Sequence, residues 1–312
     1  MAGGQRWSAV KICSLARGIL AIAAMAATGV GSAQQGPDFS KVEIRTTRLA
    51  DDFYTLEGLG GTVSVLTGPD GVLLVDSQFA ALTDKLVAAI HKVSNQPIRF
   101  LVDTHLHGDH TGGNENFARL GALVFGRDPL RARMEHPNPA PDGTPRKPAA
   151  PRALPVVTYD GLVSIHVNGE NVRLIPLRNA HTDGDTLIHF LNHDLLATGD
   201  CYRGIGYLYV DLNNGGSLAG ILEALGTIIG EAGPHTKIIP GHGPITDRNG
   251  AIAERDLILT LRDRISALAA QGKTLEEVVA AKPTAEFDAQ IPQGAQSADE
   301  IVEWMYTAVK AH

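Results

Sequence analysis

The sequence predicts an α/β fold, and two patterns support this prediction. Short apolar runs of the kind that form buried strands alternate with segments whose apolar residues recur at helical spacing. Several of the apolar runs end in a glycine-containing turn that also carries histidine or aspartate. Because open α/β sheets place their binding sites at the carboxyl ends of strands, we expect these polar residues to share one edge of the fold.

Composition is that of a soluble globular enzyme. The 312 residues carry a formal net charge of -7, and 44% of them are hydrophobic. No basic excess is present, which argues against a nucleic-acid partner and favours a small-molecule substrate. No pattern in the sequence predicts the oligomeric state.

The first 33 residues resemble a secretory signal peptide. Three basic residues precede an apolar segment over residues 18–30, and small residues then lead into polar Gln34. The apolar segment is too short for a typical membrane span, although an uncleaved anchor is the alternative. We therefore predict export to the periplasm or the medium, with no stable membrane insertion after cleavage.

Residues 34–312 are predicted to form one catalytic domain, with a core over about 42–248 and C-terminal helices over 249–312. Cleavage would remove Cys13 and leave Cys201 as the only thiol, so an internal disulfide is excluded. We expect Cys201 to be a small buried residue.

The first half of this domain opens with β-rich runs that predict an antiparallel meander, at residues 42–46, 53–56, 62–67 and 72–75. Helical spacing then predicts a helix over 80–93, and a buried strand follows over 98–102. A helix over 114–120 and a strand over 122–125 come next. The stretch 136–155 is rich in proline and basic residues, so we predict no regular element there, but a lid or a flexible connection.

The second half repeats the alternation of strands and helices. Strands are predicted at 156, 161–167, 172–176, 187–190, 195–198 and 237–240. A helix with Ser217 as its N-cap is predicted over 217–229. The C-terminal helices are predicted over 247–269, 274–281 and 298–309.

The most informative stretch runs from Thr104 to Asn114, directly behind the strand over 98–102. It places His105, His107, Asp109 and His110 within six residues. Imidazole and carboxylate together suit zinc or iron better than calcium or magnesium. Alternate residues of an extended segment point the same way, and Gly108 lets the chain turn afterwards, so this loop can contribute to two adjacent metal sites.

Three further residues have the same setting, since each follows a buried strand and adjoins a glycine-containing turn: His181, Asp200 and His242. Two ligand sets are then expected. One comprises His105, His107 and His181, and the other comprises Asp109, His110 and His242, with Asp200 bridging the two ions. Three protein ligands per ion leave a position open for water, which is typical of a catalytic site. Two ions would lower the pKa of a shared water and polarise a carbonyl.

This loop, together with His181, Asp200 and the Gly241-His242-Gly243-Pro244 turn, resembles the metallo-β-lactamase superfamily. The resemblance covers residues 42–248 and all seven ligand positions in order. It implies a four-layer αβ/βα sandwich with two zinc ions at one edge, iron or manganese being alternatives. It also implies that a metal-bound hydroxide attacks a carbonyl, with Asp109 as the catalytic residue that both holds metal and orients the nucleophile.

Other residues are compared with branches of this family. Asp200 resembles the aspartate that the glyoxalase II and lactonase branches have at this position, whereas some β-lactamases have cysteine there. Arg203 lies where many zinc β-lactamases have a lysine for the substrate carboxylate, and Asn213 and Asn214 lie where such enzymes hold a carbonyl. Two further residues, Asp76 and Thr104, are expected to fix imidazole tautomers from behind the ligands.

The expected function is therefore an exported zinc-dependent hydrolase that opens a cyclic amide or ester, of the β-lactam or lactone type. Three alternatives stay open at this point. They are a thioester hydrolase of the glyoxalase II type, an iron-dependent sulfur dioxygenase or redox enzyme of the same fold, and a metal-binding accessory protein without catalysis.

Overall fold

A computed structural model describes residues 38–140, 142–292, 294 and 296–311. The predicted signal peptide, residues 1–33, lies outside these residues. The strands of the described chain are β1 (Arg45–Arg48), β2 (Phe53–Glu57), β3 (Val63–Leu66), β4 (Val72–Val75), β5 (Ile98–Val102), β6 (Leu123–Arg127), β7 (Val157–Tyr159), β8 (Val163–Val167), β9 (Glu170–Leu177), β10 (Asp185–Phe190), β11 (Leu195–Ala197) and β12 (Lys237–Ile239). Its α-helices are α1 (Thr83–His91), α2 (Gly108–Thr111), α3 (Asn114–Arg119), α4 (Asp128–Glu135), α5 (Leu218–Glu231), α6 (Arg248–Ala270), α7 (Leu275–Ala280) and α8 (Ala298–Lys310).

The strands of the described chain form two sheets. The first has seven strands in sequence order, β1 to β7, antiparallel from β1 to β4 and parallel from β4 to β7. The second has five strands in the order β12-β11-β10-β9-β8, and only its β11–β12 pair is parallel. Strands β4, β5, β11 and β12 therefore deliver polar turns from their carboxyl ends, as the sequence predicts.

The two sheets pack face to face, as the alternation within single strands shows. In β4, Leu73 and Val75 lie in the apolar layer between the sheets, whereas Val72 and Leu74 pack against helices α1 and α3. In β11, Leu195 and Ala197 lie between the sheets, whereas Leu196 faces the helices on the other side. The order of layers is helix, sheet, sheet, helix, which confirms the predicted αβ/βα sandwich.

The C-terminal helices belong to the outer layer of the second sheet. Buried residues of α6, α7 and α8, such as Leu261, Val278 and Ile301, share one apolar cluster with Leu187 and Ile238 of the strands. Within the described residues, no helix is both long and apolar enough to cross a membrane.

Helix α4 is absent from the sequence-based expectations, although its signals are present. Pro129 stands in its first turn, and Leu130 and Met134 recur at a spacing of four residues on its buried face. The helix predicted over 80–93 begins instead as a 3-10 turn at Ala80–Leu82 before α1.

Within the stretch 136–155, residues 136–140 and 142–155 are described, and they contain one 3-10 turn, Pro151–Ala153, and are otherwise irregular, as predicted. It is held at both ends. The backbone of Ala149 donates a 2.9 Å hydrogen bond to the carbonyl of Met134, and Asn114 Nδ2 donates to the carbonyl of Ala153. Near its beginning, Asn138 Nδ2 donates to the carbonyl of Asn213, and Asn213 Nδ2 donates to the carbonyl of Pro139. These contacts favour a docked segment beside the histidine loop over a free linker.

His193 joins the two sheets at the end of the sandwich opposite the predicted metal ligands. His193 Nδ1 donates to Glu170 at the start of β9, and its Nε2 donates across 2.8 Å to Asp52 before β2. Burial opposes the charge on His193, but the hydrogen bonds to both carboxylates outweigh it and raise the pKa of the imidazole above 6.5. His193 is therefore a charged link between the sheets.

We expect His193→Gln to lower the free energy of unfolding by roughly 1–3 kcal/mol, because two hydrogen bonds to carboxylates weaken. Since folding raises the pKa of His193, this contribution is complete below the unfolded pKa near 6.5 and is lost as the pH rises through the folded value. Urea unfolding at pH 6 and pH 9 measures the difference, which should shrink at pH 9. The control is His166→Gln, whose exposed ring contacts only Asn171. A deficit independent of pH would contradict the charged link.

Candidate metal centre

The seven residues predicted to bind metal lie together at one edge of the sandwich. The loop behind β5 carries four of them, and the turns behind β9, β11 and β12 carry His181, Asp200 and His242. They form two groups in which potential ligand atoms lie within 4.8 Å of one another. The first group is His105, His107, His181 and Asp200, and the second is Asp109, His110 and His242. The grouping brings all seven predicted ligands together and places Asp200 in the first group.

Three imidazole nitrogens converge in the first group. His107 Nδ1 lies 3.2 Å from His105 Nε2 and 3.0 Å from His181 Nε2. The far nitrogen of each ring contacts an oxygen. His107 Nε2 lies 2.9 Å from Asp211 Oδ2, His181 Nδ1 lies 2.8 Å from the carbonyl of Tyr209, and His105 Nδ1 lies 3.0 Å from Thr104 Oγ1.

These oxygens determine the tautomers. The Asp211 carboxylate and the Tyr209 carbonyl can only accept, and the Thr104 hydroxyl donates its proton to Asp76 Oδ2 across 2.8 Å. Each far nitrogen must therefore carry the hydrogen, which leaves a lone pair on each inward nitrogen. Three lone pairs about 3 Å apart repel one another unless a cation lies between them. The donor chemistry thus fits a metal ion.

The second group has the same arrangement. His110 Nδ1 lies 2.7 Å from Asp76 Oδ2, so the inward Nε2, 3.3 Å from His242 Nε2, is the nitrogen left to bind an ion. Asp109 Oδ2 lies 3.2 Å from His242 Nε2 and 3.8 Å from His110 Nε2. Two imidazoles and one carboxylate therefore surround a second point. The rings of His105 and His110 are 4.1 Å apart, so the two points are adjacent.

Asp200 lies between the groups. Its Oδ1 is 3.3 Å from His110 Nε2 and 3.5 Å from His242 Nε2, and its Oδ2 is 3.9 Å from His181 Nε2. Oδ1 is buried and has no hydrogen-bond partner among the described residues. A buried carboxylate oxygen without a donor is costly, and a shared cation on each side would satisfy it. This geometry agrees with the predicted bridging position.

Asp76 supports both groups from behind. Its Oδ1 accepts the backbone N–H of Thr104 across 2.8 Å, and its Oδ2 accepts from Thr104 Oγ1 and from His110 Nδ1. Asp76 has a positive φ of 65°, a strained conformation that aspartate tolerates better than most residues. Asp76 and Thr104 thus have the contacts expected of residues that fix imidazole tautomers.

Charge at the site is arranged to favour cations. Burial and the neighbouring imidazoles hold the pKa of His181 at about 4 and lower that of His105, so both rings are neutral at pH 7. Burial works against charge on His110, but Asp76 and Asp200 outweigh it and raise its pKa, so an ion bound at Nε2 would displace a proton. Burial likewise opposes ionisation of Asp109, yet the hydrogen bond with His242 lowers its pKa to about 2. Asp109 is therefore a carboxylate at pH 7.

Two glycines permit the close packing of this centre. A Cβ on Gly61 would lie 2.2 Å from the His110 ring, and a Cβ on Gly241 would lie 2.0 Å from Asp200 Oδ1. Both distances are far below van der Waals contact. Only glycine fits at these two positions without moving a predicted ligand.

The residues proposed to contact substrate have intramolecular partners instead. Arg203 is buried, and its Nη1 donates across 2.6 Å to Asp200 Oδ2. Asn214 is buried, and its Nδ2 donates to Asp211 Oδ2. Asn213 donates its amide to the carbonyl of Pro139. Cys201 is a buried free thiol, as expected.

Two functional groups escaped the sequence analysis. Asp211 holds His107 through Nε2, and the backbone carbonyl of Tyr209 holds His181 through Nδ1. Asp211 opens an Asp-Leu-Asn-Asn turn and accepts from the backbone of Asn214, a recognisable turn signal. Every residue has a backbone carbonyl, so the amino-acid sequence gives no signal from which the role of Tyr209 could be predicted.

Comparison with known proteins finds a matching sequence family and similar folds. Residues 56–201 match the sequence profile of the metallo-β-lactamase superfamily. Two solved structures of the stereoselective inverting sec-alkylsulfatase Pisa1 from Pseudomonas sp., one of them a double mutant, are similar over 85% of this chain at 16% identity, with TM-scores of 0.67 and 0.66. The chain spans 50% of the length of those sulfatase chains. A metallo-β-lactamase from Pontibacter korlensis is similar over 70% of this chain and 99% of its own, at 18% identity and a TM-score of 0.58.

We expect Asp211→Ala to weaken zinc binding about 10- to 100-fold, because His107 loses the acceptor that fixes its tautomer and ring orientation. Competition with a chromophoric chelator measures the affinity. Asn213→Ala is the matched control in the same turn, since the Asn213 side chain donates to the carbonyl of Pro139 and not to an imidazole. Equal zinc affinity in the two variants would show that Asp211 does not position His107.

Gly241→Ala should reduce the metal content of the purified protein, because the added Cβ displaces Asp200. Elemental analysis after dialysis measures the metal bound per chain. Gly230→Ala in α5 is the control, since a Cβ at that position meets nothing within 4 Å. Full metal content in Gly241→Ala would argue against Asp200 as a ligand.

Proposed function

We propose that this chain, which belongs to the metallo-β-lactamase superfamily of mostly metal-dependent hydrolases, holds two divalent metal ions, zinc foremost, and hydrolyses a small ester, with lactones as the preferred class. The observation that carries the proposal is the convergence of inward-facing imidazole lone pairs at two adjacent points with Asp200 between them. Such a pattern is expected of a dinuclear site with open positions.

The ligand atoms favour zinc over calcium and magnesium, because imidazole nitrogens outnumber carboxylate oxygens in the two groups. Iron and manganese accept the same atoms, so the metal itself must be measured. When bound, two such ions would polarise a carbonyl and lower the pKa of a nearby water molecule.

Asp109 is the residue that we assign to catalysis. Its side chain is 29% exposed, more than those of the other six predicted ligands, so it faces the open side of the centre. Its pKa of about 2 keeps it ionised at pH 7, when its oxygens accept hydrogen bonds. Asp109 can therefore accept a hydrogen bond from a water molecule and orient it toward a carbonyl.

The contacts of Arg203, Asn213 and Asn214 support an ester over a β-lactam. A β-lactam substrate carries a carboxylate that needs a cationic partner, yet Arg203 is buried and paired with Asp200. Both asparagine amides are likewise engaged within the protein. Among the expected substrates, a neutral lactone has no carboxylate and therefore has the least need of these three residues for binding. The thioester, iron-dependent and non-catalytic alternatives remain outcomes of the test.

We also propose that the protein is exported. The arrangement of Arg6, Lys11 and Arg17 ahead of the apolar segment 18–30 supports this, and so does the single thiol left after cleavage. Fractionation of the native host with N-terminal sequencing tests it. A mature chain that begins near Gln34 in the exported fraction is expected, and an intact Met1 terminus in the cytosol would contradict export.

We expect the zinc-loaded protein to hydrolyse lactones faster than β-lactams or thioesters in a parallel screen. A secondary alkyl sulfate belongs in the panel, because the solved sulfatase shares the fold. Asp109→Asn should lower kcat on the preferred substrate roughly 100-fold, a loss expected when the group that orients the attacking water is changed. Glu115→Gln is the control, since Glu115 pairs only with Arg119 on helix α3.

Three outcomes would overturn this assignment. Preferred turnover of β-lactams would reject the ester class, and unchanged kcat in Asp109→Asn would reject the role of Asp109. Stoichiometric iron with oxygen uptake, and no hydrolysis of any panel member, would identify the redox alternative.

A further inference from the structure

Strands β7 and β8 end the two sheets on the same side of the sandwich, because only residues 160–162 separate them. Among the described residues, β7 pairs with β6 alone and β8 pairs with β9 alone. Val163 and Ile165 of β8 face the other sheet but are only partly buried. Leu162 is 56% exposed, and Val157 of β7 is 38% exposed. An apolar strip therefore lies beside two free strand edges.

The turn between β8 and β9 determines which backbone groups of β8 are free. Its two residues, 168–169, both have positive φ, 55° and 76°, as in a tight two-residue hairpin. Val167 and Glu170, which flank the turn, are paired and bond to each other through their backbones. Every second residue of β8 bonds to β9 in the same way. The N–H and C=O groups of Ser164 and His166 therefore point outward from the sheet.

Strand β8 lacks the residues that normally prevent an exposed edge from pairing. Charged side chains and proline on an edge strand disfavour addition of another strand. Strand β1, which ends the first sheet on its other side, has exposed arginines at Arg45 and Arg48. The β8 sequence, Val-Ser-Ile-His-Val, contains no aspartate, glutamate, lysine, arginine or proline. This edge is therefore open to a further strand.

We propose that the protein forms a two-fold dimer in which β8 pairs antiparallel with β8 of a second copy, centred on Ile165. The outward backbone groups of Ser164 then bond to those of His166 in the second copy, and Val163 lies opposite Val167. The two five-stranded sheets become one continuous sheet. The side chain of His166 stays on the outer face, because only its backbone takes part in the pairing.

The charges at the two ends of β8 favour a second copy as the partner. At the start of the strand, Arg127 and Arg178 share the single carboxylate of Asp160, which leaves an excess positive charge. At the other end, Asp70 accepts the backbone N–H of Asn168 across 2.7 Å, and its carboxylate has no ion pair within the described residues. A two-fold axis reverses the strand and brings each positive end beside a negative end. The surface is thus complementary to itself.

The same pairing also covers the apolar strip. In the proposed register, Leu162 faces the turn 168–169 of the second copy, and the partly buried faces of Val163 and Ile165 lose their remaining exposure. Homodimer interfaces typically have an apolar centre and a polar rim. The strip and the charged ends of β8 provide both parts.

Sedimentation velocity of the purified full chain measures the dimer, and we expect twice the mass of one chain. Ser164→Pro should raise the dimer dissociation constant at least tenfold, because each copy loses an outward N–H. An edge strand accepts proline at such a position. Ser164→Ala keeps the N–H and should leave the constant unchanged. Leu162→Lys should raise it as well, whereas Leu191→Lys should not, since that exposed leucine follows β10, which is paired on both edges.

A cysteine cross-link tests the register. Ile165→Cys in a Cys13→Ser background should form a disulfide between copies on oxidation, because residues on the axis of a non-hydrogen-bonded pair lie within disulfide reach. Val163→Cys in the same background should not, since Val163 lies opposite Val167 of the second copy. Cys201 is buried and serves as the internal control thiol.

Three results would contradict the dimer. A monomer at every concentration would leave this edge to a strand of a different protein. A dimer that Ser164→Pro and Leu162→Lys both leave intact would have its interface elsewhere. Cross-linking of Val163→Cys but not of Ile165→Cys would exclude the pairing centred on Ile165. These measurements need neither turnover nor bound metal, so their failure is distinct from failure of the proposed hydrolase activity.

Discussion

The constraint on which the centre depends is the hydrogen bond made by the outward nitrogen of an imidazole. His105, His107, His110 and His181 each place that nitrogen against an oxygen that accepts: Thr104, Asp211, Asp76 and the carbonyl of Tyr209. With these protons fixed on the outside, the inward lone pairs have no alternative orientation. A centre organised in this way is preformed, so the chain needs little rearrangement to receive cations.

The fold supplies those oxygens at the right places because it stacks two sheets with the carboxyl ends of their central strands at one edge. Asp76 follows β4 and Thr104 follows β5, so the pairing of these two strands places the carboxylate beside the hydroxyl. Asp200 follows β11 and His242 follows β12, which are paired in parallel. Arg203 donates a hydrogen bond to Asp200, so its guanidinium group pairs with this predicted metal ligand.

Much of this arrangement could be predicted from the sequence, because the ligands follow buried strands and buried strands are visible as apolar runs. The strand Ile98–Val102, the histidine loop and the positions of His181, Asp200 and His242 are all of this kind. What escaped prediction depends on tertiary contacts. The partners of Arg203, Asn213 and Asn214 are set by how turns approach one another, and the role of Tyr209 belongs to its backbone. Helix α4 was missed for another reason, since its short apolar face of Leu130 and Met134 is a weak periodic signal.

Each of the two side-chain groups draws donors from both sheets. His105 and His107 come from the first sheet and His181 from the second, while Asp109 and His110 face His242 across the same seam. Ions held there would act as cross-links that clamp the open edge of the sandwich, opposite the edge joined by His193. Folding and metal uptake would then be thermodynamically linked, so the cohesion of the two halves would vary with metal supply in the surroundings.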